Sequence, residues 1–480
     1  MESFVEEITE PVSPTGQYLN SSALCIYILG VLEFEIPLQD SQTMSLLHDV
    51  FLPINTRFSS IMIKDQNGEK KWKKVEVKLE EHINIPTFPT TKSSNSNYDE
   101  YFDEYMSKIA MEHLPQHKPL WEIHIIKYPT SNASSTLIFK LHHALGDGYS
   151  LMGALLSCLQ RADNPSLPLT LPNSTQVPKL SSIFNTKTIF KTLPSTLSLA
   201  FQTISDFGWS VLKSSWVEDD ETPIKSWSCD EDINFRHVAI SSLSFSLDHM
   251  KEVKSILGVS LNDVITGLIF YGLRLYMQEI NLKSSKAEST ALVLLNARNI
   301  KGYKSIKEMV DNTNNNGASW GNRFAFLHVP IPKLSETRFS NPIEFIFEAH
   351  KEIKRKKNSL ATPLTGMLLN MVKKIRGPEA AARYLHSTLR NSSTTMSNII
   401  GPVEQMALAN HPVKGLYFMV VGPPQSLTIT IMSYMGKLKI AFGMEKGFID
   451  KQKIKSCMEN SFEMIIVAAR NISAKSQTKI

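Results

Sequence analysis

A cluster of prolines constrains the fold of this chain more than any other feature of its sequence. The cluster lies in the segment DNPSLPLTLPNSTQVPKL and consists of Pro165, Pro168, Pro172 and Pro178. Because proline lacks a backbone N–H and has a fixed φ, this spacing excludes a regular helix or a central strand. We therefore interpret residues 161–235 as a long crossover between an N-terminal half, residues 1–160, and a C-terminal half, residues 236–480.

Each half alternates strand-like and helix-like patterns. In the N-terminal half, Ala23 to Phe34 and Thr136 to Leu141 are apolar and β-branched enough to predict strands. In the C-terminal half, Ala291 to Asn296 predicts a strand and Asp450 to Ala469 an amphipathic helix. Two halves of this kind predict an α/β fold.

Capping residues predict the first two helices of the C-terminal half. Asp248 is the predicted N-cap of a helix that ends near Gly258. The next helix is predicted to run from Asn262, as its N-cap, to about Tyr276.

Composition excludes several classes of protein. An apolar fraction of 42% excludes wholesale disorder. A net charge of only +5 over 480 residues argues against a dedicated nucleic-acid-binding protein. The N-terminal sequence MESFVEEITE is acidic and unlike a signal peptide. No CxxC pair occurs among the cysteines, which predicts a reducing compartment. These cysteines are Cys25, Cys158, Cys229 and Cys457.

The segment from Thr188 to Leu212 predicts an amphipathic helix within the crossover. Lys191, Pro194 and other polar residues interrupt its apolar run, so it falls short of the roughly 18 to 20 apolar residues of a membrane-spanning helix. Two interpretations remain open. The helix either packs on its own domain or lies in a membrane surface, where its Trp and Phe residues would insert.

The chemistry is concentrated in the segment TLIFKLHHALGDGYSLMG. His142 and His143 follow directly on a predicted strand, and Asp147 and Gly148 precede a predicted helix. A rigid strand fixes the position of side chains at its end. A histidine there can act as a general base, because its ordinary pKa lies near neutrality. Asp147 could orient an imidazole ring or pair with a distant cation.

Other chemistries lack their usual signatures. There is no HExxH pattern and no cysteine near the histidine pair, so we expect no metal site. The GxSxG, Walker A and GxGxxG patterns are also missing, which argues against a serine hydrolase and a nucleotide-binding loop. On the residues alone, His142 and His143 could equally be structural residues at the end of a strand.

Several sequence blocks, taken in order, resemble one enzyme family. HHALGDG is similar to the HHxxxDG motif of acyl-CoA-dependent acyltransferases, and the whole chain resembles the plant wax ester synthase/diacylglycerol acyltransferase family. Ser260 stands where that family usually has proline. The other similar blocks are Glu10 to Pro14 (EPVSP), Ser260 to Val264 (SLNDV), Asn296 to Asn299 (NARN), Ser319 to Phe324 (SWGNRF) and Ser397 to Pro402 (SNIIGP).

The resemblance implies a fold and a mechanism. The fold would be that of chloramphenicol acetyltransferase, with two α/β domains and the active site at their interface. His143 would be the general base that takes a proton from a long-chain alcohol or from diacylglycerol, whose oxygen then attacks the acyl-CoA thioester. His142 would support it, and Gly148 completes the motif. The family needs no metal and no cofactor, since acyl-CoA is a substrate.

The resemblance also implies roles for three further residues. Asp147 would be structural and would pair with Arg298 of the NARN block. Asn262 is either only a helix cap or a polar donor near the oxyanion. Trp320 and Asn398 would be structural parts of their blocks.

Partners and location follow from the same resemblance. The expected partners are acyl-CoA, a fatty alcohol or diacylglycerol, and a membrane surface, with no nucleic acid. The expected location is the endoplasmic reticulum membrane with the active site facing the cytosol, and the plasma membrane is the alternative.

Two rival interpretations remain, a same-fold enzyme with another acceptor and a non-catalytic lipid-binding or partner module. The first is a soluble plant acyltransferase acting on phenolic or alkaloid alcohols, but in that group a DFGWG block lies near the C-terminus. Here Asp206 to Trp209 (DFGW) lies in the crossover, and we treat it as a coincidence. The second is a non-catalytic lipid-binding module, against which the intact HHxxxDG motif argues.

Overall fold

The computed structural model describes residues 9–66, 69–89, 98–172, 193–226, 237–298, 309–310, 320–334 and 341–477. Several residues of the sequence predictions lie outside these ranges. They are the N-terminal residues 1–8, Pro178, residues 188–192 of the predicted amphipathic helix, Cys229, Asn299 and Ser319.

The described residues form strands and helices in both halves of the chain. The strands are β1 (Thr9–Pro11), β2 (Tyr27–Phe34), β3 (Ser60–Lys64), β4 (Lys70–Lys74), β5 (Ile83–Asn84), β6 (Trp121–Ile126), β7 (Ser135–His142), β8 (Gln160–Arg161), β9 (Val238–Ser246), β10 (Thr290–Asn296), β11 (Phe324–Pro330), β12 (Thr394–Ile400), β13 (Met406–Leu408), β14 (His411–Val421), β15 (Leu427–Tyr434) and β16 (Lys437–Glu445). The helices are α1 (Pro14–Tyr18), α2 (Asp40–Leu46), α3 (Leu52–Ile54), α4 (Asp99–Met111), α5 (Gly148–Ser157), α6 (Leu193–Ser215), α7 (Leu247–Leu257), α8 (Leu261–Ile280), α9 (Ile343–Asn358), α10 (Ala361–Arg376), α11 (Pro378–Asn391) and α12 (Lys451–Gln477).

The first large sheet has the strand order β5-β6-β7-β2-β14-β13-β8. Its central strands β2 and β7 are antiparallel and buried along their whole length, with Tyr27 opposite His142. A strand with both faces buried needs an apolar side chain at most positions, and this explains why both sequences are mostly apolar, with Glu33 in β2 and Lys140 in β7 as the buried charged residues. The two strands predicted in the N-terminal half are confirmed.

The second large sheet has the order β11-β10-β12-β15-β16-β9. Strands β10, β12 and β15 are parallel, and the remaining pairs are antiparallel. The buried helix α8 packs against α9 and α12. A Cβ atom at Gly267 of α8 would lie 2.6 Å from the Cα of Ile346 in α9, so glycine is what allows the two helices to approach so closely.

Strand pairing crosses the boundary between the two halves. β13 and β14 follow residue 236 in the chain, yet they belong to the first sheet, where β14 pairs with β2 over eight positions. β15, the next strand, returns to the second sheet. The division of the chain at residues 160 and 235 stays a prediction, but the C-terminal half contributes strands to both sheets.

Two predicted helix caps are wrong. The N-cap of α7 is Ser246, whose hydroxyl accepts from the backbone N–H of His249, and Asp248 lies inside the first turn. The N-cap of α8 is Ser260, which forms a capping box with Asp263, and Asn262 lies inside the helix. In both helices a serine hydroxyl accepts a hydrogen bond from the backbone N–H of the residue three positions later in the chain. The predicted end of α7 at Gly258 is confirmed by a φ of +65°.

Helix α6 confirms the amphipathic helix predicted within the crossover, but its orientation is unusual. The stripe that faces the protein is polar and contains Thr203, Asp206, Ser210, Lys213 and Ser214. Asp206 accepts from Arg355 at 2.8 Å, and Lys213 pairs with Asp219. Three apolar side chains in the described part of the helix are exposed, namely Ile204 at 71%, Trp209 at 46% and Leu212 at 40%.

Among the described helices, none taken singly has both the length and the apolar character needed to cross a membrane. The pair α7 and α8, which is bent by 104°, meets those two criteria only when the helices are combined.

Candidate active site

His143 lies immediately after β7, at the junction of the two halves. Its backbone N–H donates to the carbonyl of Ile26 at 2.9 Å, which ties it to the residue that precedes β2. Its side chain contacts Phe324, the first residue of β11, with ring centroids 5.4 Å apart and the ring planes tilted by 59°. The residue is only 6% exposed, so the ring is largely shielded from bulk water.

Asn322 determines which nitrogen of His143 carries the proton. Its Nδ2 donates to the backbone carbonyl of His143 at 2.9 Å, which orients the amide so that Oδ1 faces the ring. Oδ1 lies 2.9 Å from Nδ1 of His143, and because an amide oxygen can only accept, Nδ1 must carry the hydrogen. The other ring nitrogen, Nε2, is therefore left with its lone pair and can accept a proton.

The pKa of His143 is lowered from its ordinary value of 6.5, and the main cause is burial. The charge of Asp147, the backbone carbonyl of His143 and the hydrogen bond to Asn322 act in the opposite direction and moderate the shift. At neutral pH His143 is consequently uncharged, which is the form that a general base requires.

His142 has the opposite tautomer. Its Nδ1 accepts from the backbone N–H of Ala144 at 3.0 Å, so the hydrogen sits on Nε2, which lies 3.5 Å from the sulfur of Cys25. The ring of Tyr27 packs edge-on against it at 5.1 Å. Burial, followed by the charge of His143, lowers the pKa of His142 to about 3. His142 therefore stays neutral and stabilises the turn, and it has no free lone pair to offer a substrate.

Asp147 binds Arg298, as the family resemblance implies, and forms no hydrogen bond with the ring of His143. Its Oδ2 accepts from Nη1 of Arg298 at 2.6 Å and from the backbone N–H of Arg323 at 2.8 Å. Its Oδ1 accepts from the backbone N–H of Ser150, which makes Asp147 the N-cap of α5. Both side chains of the ion pair are almost completely buried, at 0% and 6% exposure.

The ion pair fastens the loop before β11 onto the histidine motif. Nη2 of Arg298 donates to the hydroxyl of Ser150 and to the carbonyl of Gly321 at 2.6 Å. Nε1 of Trp320 donates to the carbonyl of Leu145 at 2.7 Å. These bonds hold Trp320 and Gly321, which directly precede Asn322, and so they position Asn322 against His143.

Two of the remaining sequence blocks also reach this region. Glu10 of the EPVSP block accepts from Arg57, and Arg57 in turn donates to the carbonyl of Leu145. Gly148 lies against Ile399 of the SNIIGP block, where an added Cβ would come within 2.5 Å of the Ile399 Cδ1 atom. The motif glycine therefore allows the first half of the chain to touch β12 of the second.

The structure brings Asn262 together with Asn398 and not with His143. Nδ2 of Asn398 donates to Oδ1 of Asn262 at 3.2 Å, which joins the SLNDV and SNIIGP blocks. A role for Asn262 at the oxyanion stays a prediction.

A narrow apolar cavity of about 40 Å³ lies beside the motif, between the first sheet and α5. Its wall includes Leu141, which directly precedes the two histidines, and Gly148, the last residue of the HHxxxDG motif. The other lining residues are Ile28, Gly30, Phe51, Phe139, Leu151, Met152, Leu155, Ile399 and Phe418. The cavity is lined by apolar residues, but at this volume it is too small for a long hydrocarbon chain unless the surrounding side chains move.

Sequence analysis missed Asn322 as a functional residue. The SWGNRF block was recognised, but only its tryptophan was assigned a role. The available signal was a carboxamide inside a block that accompanies the HHxxxDG motif. Its contact with His143 spans 179 positions of the chain and could not be inferred from spacing.

Two family models match this chain, and both describe domains of the same family. The model described as the wax ester synthase/diacylglycerol acyltransferase catalytic domain matches residues 66–265. The model described as the WS/DGAT C-terminal domain matches residues 320–466.

Two similar proteins from Arabidopsis thaliana cover nearly the whole chain. Wax ester synthase/diacylglycerol acyltransferase 5 is 28% identical over 97% of this chain and 95% of its own length. Wax ester synthase/diacylglycerol acyltransferase 11 is 29% identical over 97% of this chain and 96% of its own length.

Two similar solved structures confirm the predicted fold. The wax ester synthase/diacylglycerol acyltransferase of Marinobacter aquaeolei VT8 superposes with a TM-score of 0.58 at 15% identity, covering 96% of this chain and all of that one. The starter condensation domain of rhizomide synthetase superposes with a TM-score of 0.54 at 10% identity, covering 95% and 92% of the two chains. At such identities the likeness concerns the fold alone.

Proposed function

Because this chain belongs to the wax ester synthase/diacylglycerol acyltransferase family, we propose that it transfers a long-chain acyl group from acyl-CoA to the hydroxyl of a fatty alcohol. The observation that carries this proposal is the pair formed by His143 and Asn322. The amide of Asn322 holds the hydrogen on Nδ1 and leaves the Nε2 lone pair of His143 free.

The reaction follows from that geometry. Nε2 of His143 takes the proton of the alcohol as its oxygen attacks the thioester carbonyl of acyl-CoA. The tetrahedral oxyanion collapses, the carbon–sulfur bond breaks, and the protonated His143 returns the proton to the sulfur of CoA. The products are an ester and free CoA. No cofactor takes part, since the thioester already carries an activated acyl group.

The buried position of His143 favours transfer to an alcohol over hydrolysis. At 6% exposure, the ring has little contact with bulk water, which would otherwise compete with the alcohol for the acyl group. Holding the two substrates together beside the base would supply a further large part of the rate.

The apolar cavity beside the motif supports a hydrocarbon substrate. Its wall is apolar and includes Leu141, which directly precedes the two histidines, so the space beside the motif favours a hydrocarbon chain over a polar group. Diacylglycerol is the second proposed acceptor, because its free hydroxyl would react in the same way and its acyl chains are equally apolar.

A membrane surface is the proposed source of these apolar substrates, and α6 and α10 support it. The two helices pack together. Helix α6 exposes Ile204, Trp209 and Leu212, and α10 has no buried residue and exposes Met367, Met371 and Ile375. Helices of this kind lie in the interfacial layer of a membrane. The proposed location is the cytosolic side of the endoplasmic reticulum membrane, with the plasma membrane as the alternative.

The test compares purified protein with the His143→Ala variant. Each is given labelled palmitoyl-CoA with hexadecanol, and separately with diacylglycerol, and labelled ester and free CoA are measured. We expect wild type to form wax ester and His143→Ala to lose nearly all of it. His48→Ala is the matched control, because His48 lies just after α2 with its side chain 71% exposed, where it contacts the carboxylate of its neighbour Asp49.

Each other outcome has a definite meaning. Triacylglycerol without wax ester would make diacylglycerol the main acceptor. No ester from either acceptor, in a folded protein, would point to another alcohol or to a lipid-binding role. Full activity in His143→Ala would contradict the assignment of the base.

A further inference from the structure

A large cleft of about 1080 Å³ lies where the two halves meet. Its walls come from the segment between α1 and β2, from β3 and β4, from α11 and from the loop that follows β14. This volume is at the upper end of the range for small-molecule sites. The cleft is separate from the narrow apolar cavity beside α5, with which it shares no lining residue.

The lining of the cleft is strongly cationic. Lys64, Lys70, Arg383 and Arg390 all contribute to it. Of the described residues that line it, the only carboxylate is Glu379, which accepts a hydrogen bond from Ser22. A concave surface with such an excess of positive charge concentrates anions. The cleft is therefore suited to a ligand with several negative charges.

The two arginines are available to a ligand. Both side chains are exposed, and within the described part of the chain neither has a carboxylate at ion-pair distance. Burial lowers the pKa of His386, which lies between them on α11, and the charge of Arg390 lowers it further. A cationic cluster that the protein leaves uncompensated would be stabilised by a bound anion. Guanidinium groups match the geometry of phosphate oxygens better than ammonium groups do.

Helix α11 connects this cleft to the surroundings of His143. The face that carries Arg383 and Arg390 lines the cleft. The opposite face packs into an apolar cluster with Ile26 and Phe324, and the ring of Phe324 contacts the ring of His143 at 5.4 Å between centroids. The residues of α11 in that cluster are Ala381, Ala382, Leu385 and Leu389.

The inner wall of the cleft also reaches the end of β7. Cys25 lines the cleft, and its sulfur lies 3.5 Å from Nε2 of His142. Ile26, the next residue, accepts the backbone N–H of His143. A ligand seated in the cleft could thus extend toward the catalytic histidine along the segment that precedes β2.

We propose that this cleft binds the phosphate groups of acyl-CoA, with Arg383 and Arg390 on the 3′-phosphate and diphosphate of its adenosine moiety. The assignment rests on the proposed function, which supplies acyl-CoA as a substrate. In that molecule the pantetheine arm separates the thioester from the phosphates, so their binding site must lie apart from His143 and be connected to it. The cleft meets both conditions.

The test uses three variants, namely Arg383→Gln, Arg390→Gln and the double variant that carries both substitutions. Each is assayed with two acyl donors, palmitoyl-CoA and palmitoyl-pantetheine, and the second donor lacks the phosphates. In the double variant, the ratio of kcat/KM for palmitoyl-CoA to that for palmitoyl-pantetheine should fall about tenfold, because two charge-assisted contacts are lost. Lys437→Gln is the matched control, since Lys437 is exposed and does not line the cleft, and its ratio should equal that of wild type.

Binding measured by calorimetry separates this proposal from the proposed function. Adenosine 3′,5′-bisphosphate and CoA are titrated into wild type and into the double variant, and we expect affinity to fall about tenfold in the variant. An unchanged ratio and unchanged affinity would overturn the cleft assignment while leaving acyl transfer intact. If no ester forms from either donor, the proposed function fails, and the calorimetry still shows whether the cleft binds the phosphates of CoA.

A different phosphate source is the remaining possibility to be tested. Vesicles containing phosphatidate are added to wild type and to the double variant. Vesicle binding that depends on Arg383 and Arg390, without binding of the nucleotide, would assign the cleft to lipid headgroups and overturn the proposal.

Discussion

At the scale of single residues, adjacent histidines have different chemistry because their surroundings place the proton on different nitrogens. Nδ1 of His142 accepts a hydrogen bond from the backbone N–H of Ala144, whereas Nδ1–H of His143 donates a hydrogen bond to Oδ1 of Asn322. Only His143 is left with a lone pair on Nε2. The sequence alone does not show which nitrogen of each histidine carries the hydrogen, because the folded chain brings Ala144 and Asn322 into contact with the two rings.

The first prediction concerns the pH dependence of the reaction. Because burial lowers the pKa of His143 below 6.5, the base is deprotonated at neutral pH. We expect kcat/KM to fall as the pH drops through a value below 6.5 and to be level above it. A pH–rate profile between pH 4.5 and 8 tests this, and an acid limb centred at or above pH 6.5 would contradict it. His142, whose pKa is about 3, should add no second limb.

The second prediction concerns Asn322 as a positioning residue. Asn322→Ala removes the group that holds the hydrogen on Nδ1, so we expect kcat to fall about tenfold to a hundredfold. Asn322→Asp keeps an acceptor for Nδ1 but places a carboxylate beside the ring, which should raise the pKa of His143 and shift the acid limb to higher pH.

The pH profile distinguishes this role from a merely structural one. A side chain that only fills space would change activity without moving the acid limb. Asn460→Ala is the matched control, because Asn460 is exposed on α12. An unshifted limb in Asn322→Asp would contradict the positioning role.

At the scale of secondary-structure elements, the ion pair between Asp147 and Arg298 joins segments 151 positions apart. It connects the N-terminus of α5 to the end of β10 and to the loop before β11. The side chains that carry the chemistry are therefore held in place by contacts between elements and not within one of them.

The third prediction tests that ion pair. Arg298→Ala leaves the buried carboxylate of Asp147 without its partner, and we expect unfolding to become about 3–5 kcal/mol easier. Lys251→Ala, which breaks the exposed pair with Asp248, should change stability by less than about 0.5 kcal/mol. Urea unfolding of both variants measures the difference. If Asp147→Asn kept full activity and full stability, the ion pair would have no structural role.

The same scale shows why some helix boundaries were predicted correctly and others were not. Gly258 ends α7 with a positive φ, and that signal is local to the residue. Asp248 and Asn262 were assigned as N-caps because both residue types favour that position. Ser246 and Ser260 hold those positions instead, and the Ser-x-x-Asp spacing from Ser260 to Asp263 was a visible capping-box signal.

At the scale of the whole molecule, α6 and α10 form an apolar outer surface next to basic residues. Trp209 and Trp216 are 46% and 78% exposed, and Lys374 and Arg376 lie at the end of α10. A surface that combines exposed tryptophan with positive charge matches the interfacial layer of an anionic membrane.

The fourth prediction tests this surface by vesicle flotation. We expect wild type to float with phosphatidylcholine vesicles more strongly as the phosphatidylserine fraction rises. The variant Trp209→Ser/Trp216→Ser should lose most of this binding. Leu282→Ser is the matched control, since Leu282 is 71% exposed but lies outside α6 and α10. Equal flotation of wild type and the double variant would contradict the prediction.

Sequence by itself determined the local properties of this protein. Apolar runs located β2 and β7, and proline spacing predicted the crossover. These signals depend on residues a few positions apart, where periodicity and backbone chemistry act directly. The ordered motif blocks added a resemblance, which implied the family, the fold and the role of His143. Only the tertiary structure decided that β14 joins the first sheet, that Asn322 sets the proton on His143, and that Arg383 and Arg390 share a cleft with Lys70. Each of these depends on contacts between segments far apart in the chain, and such contacts exist only once the chain has folded.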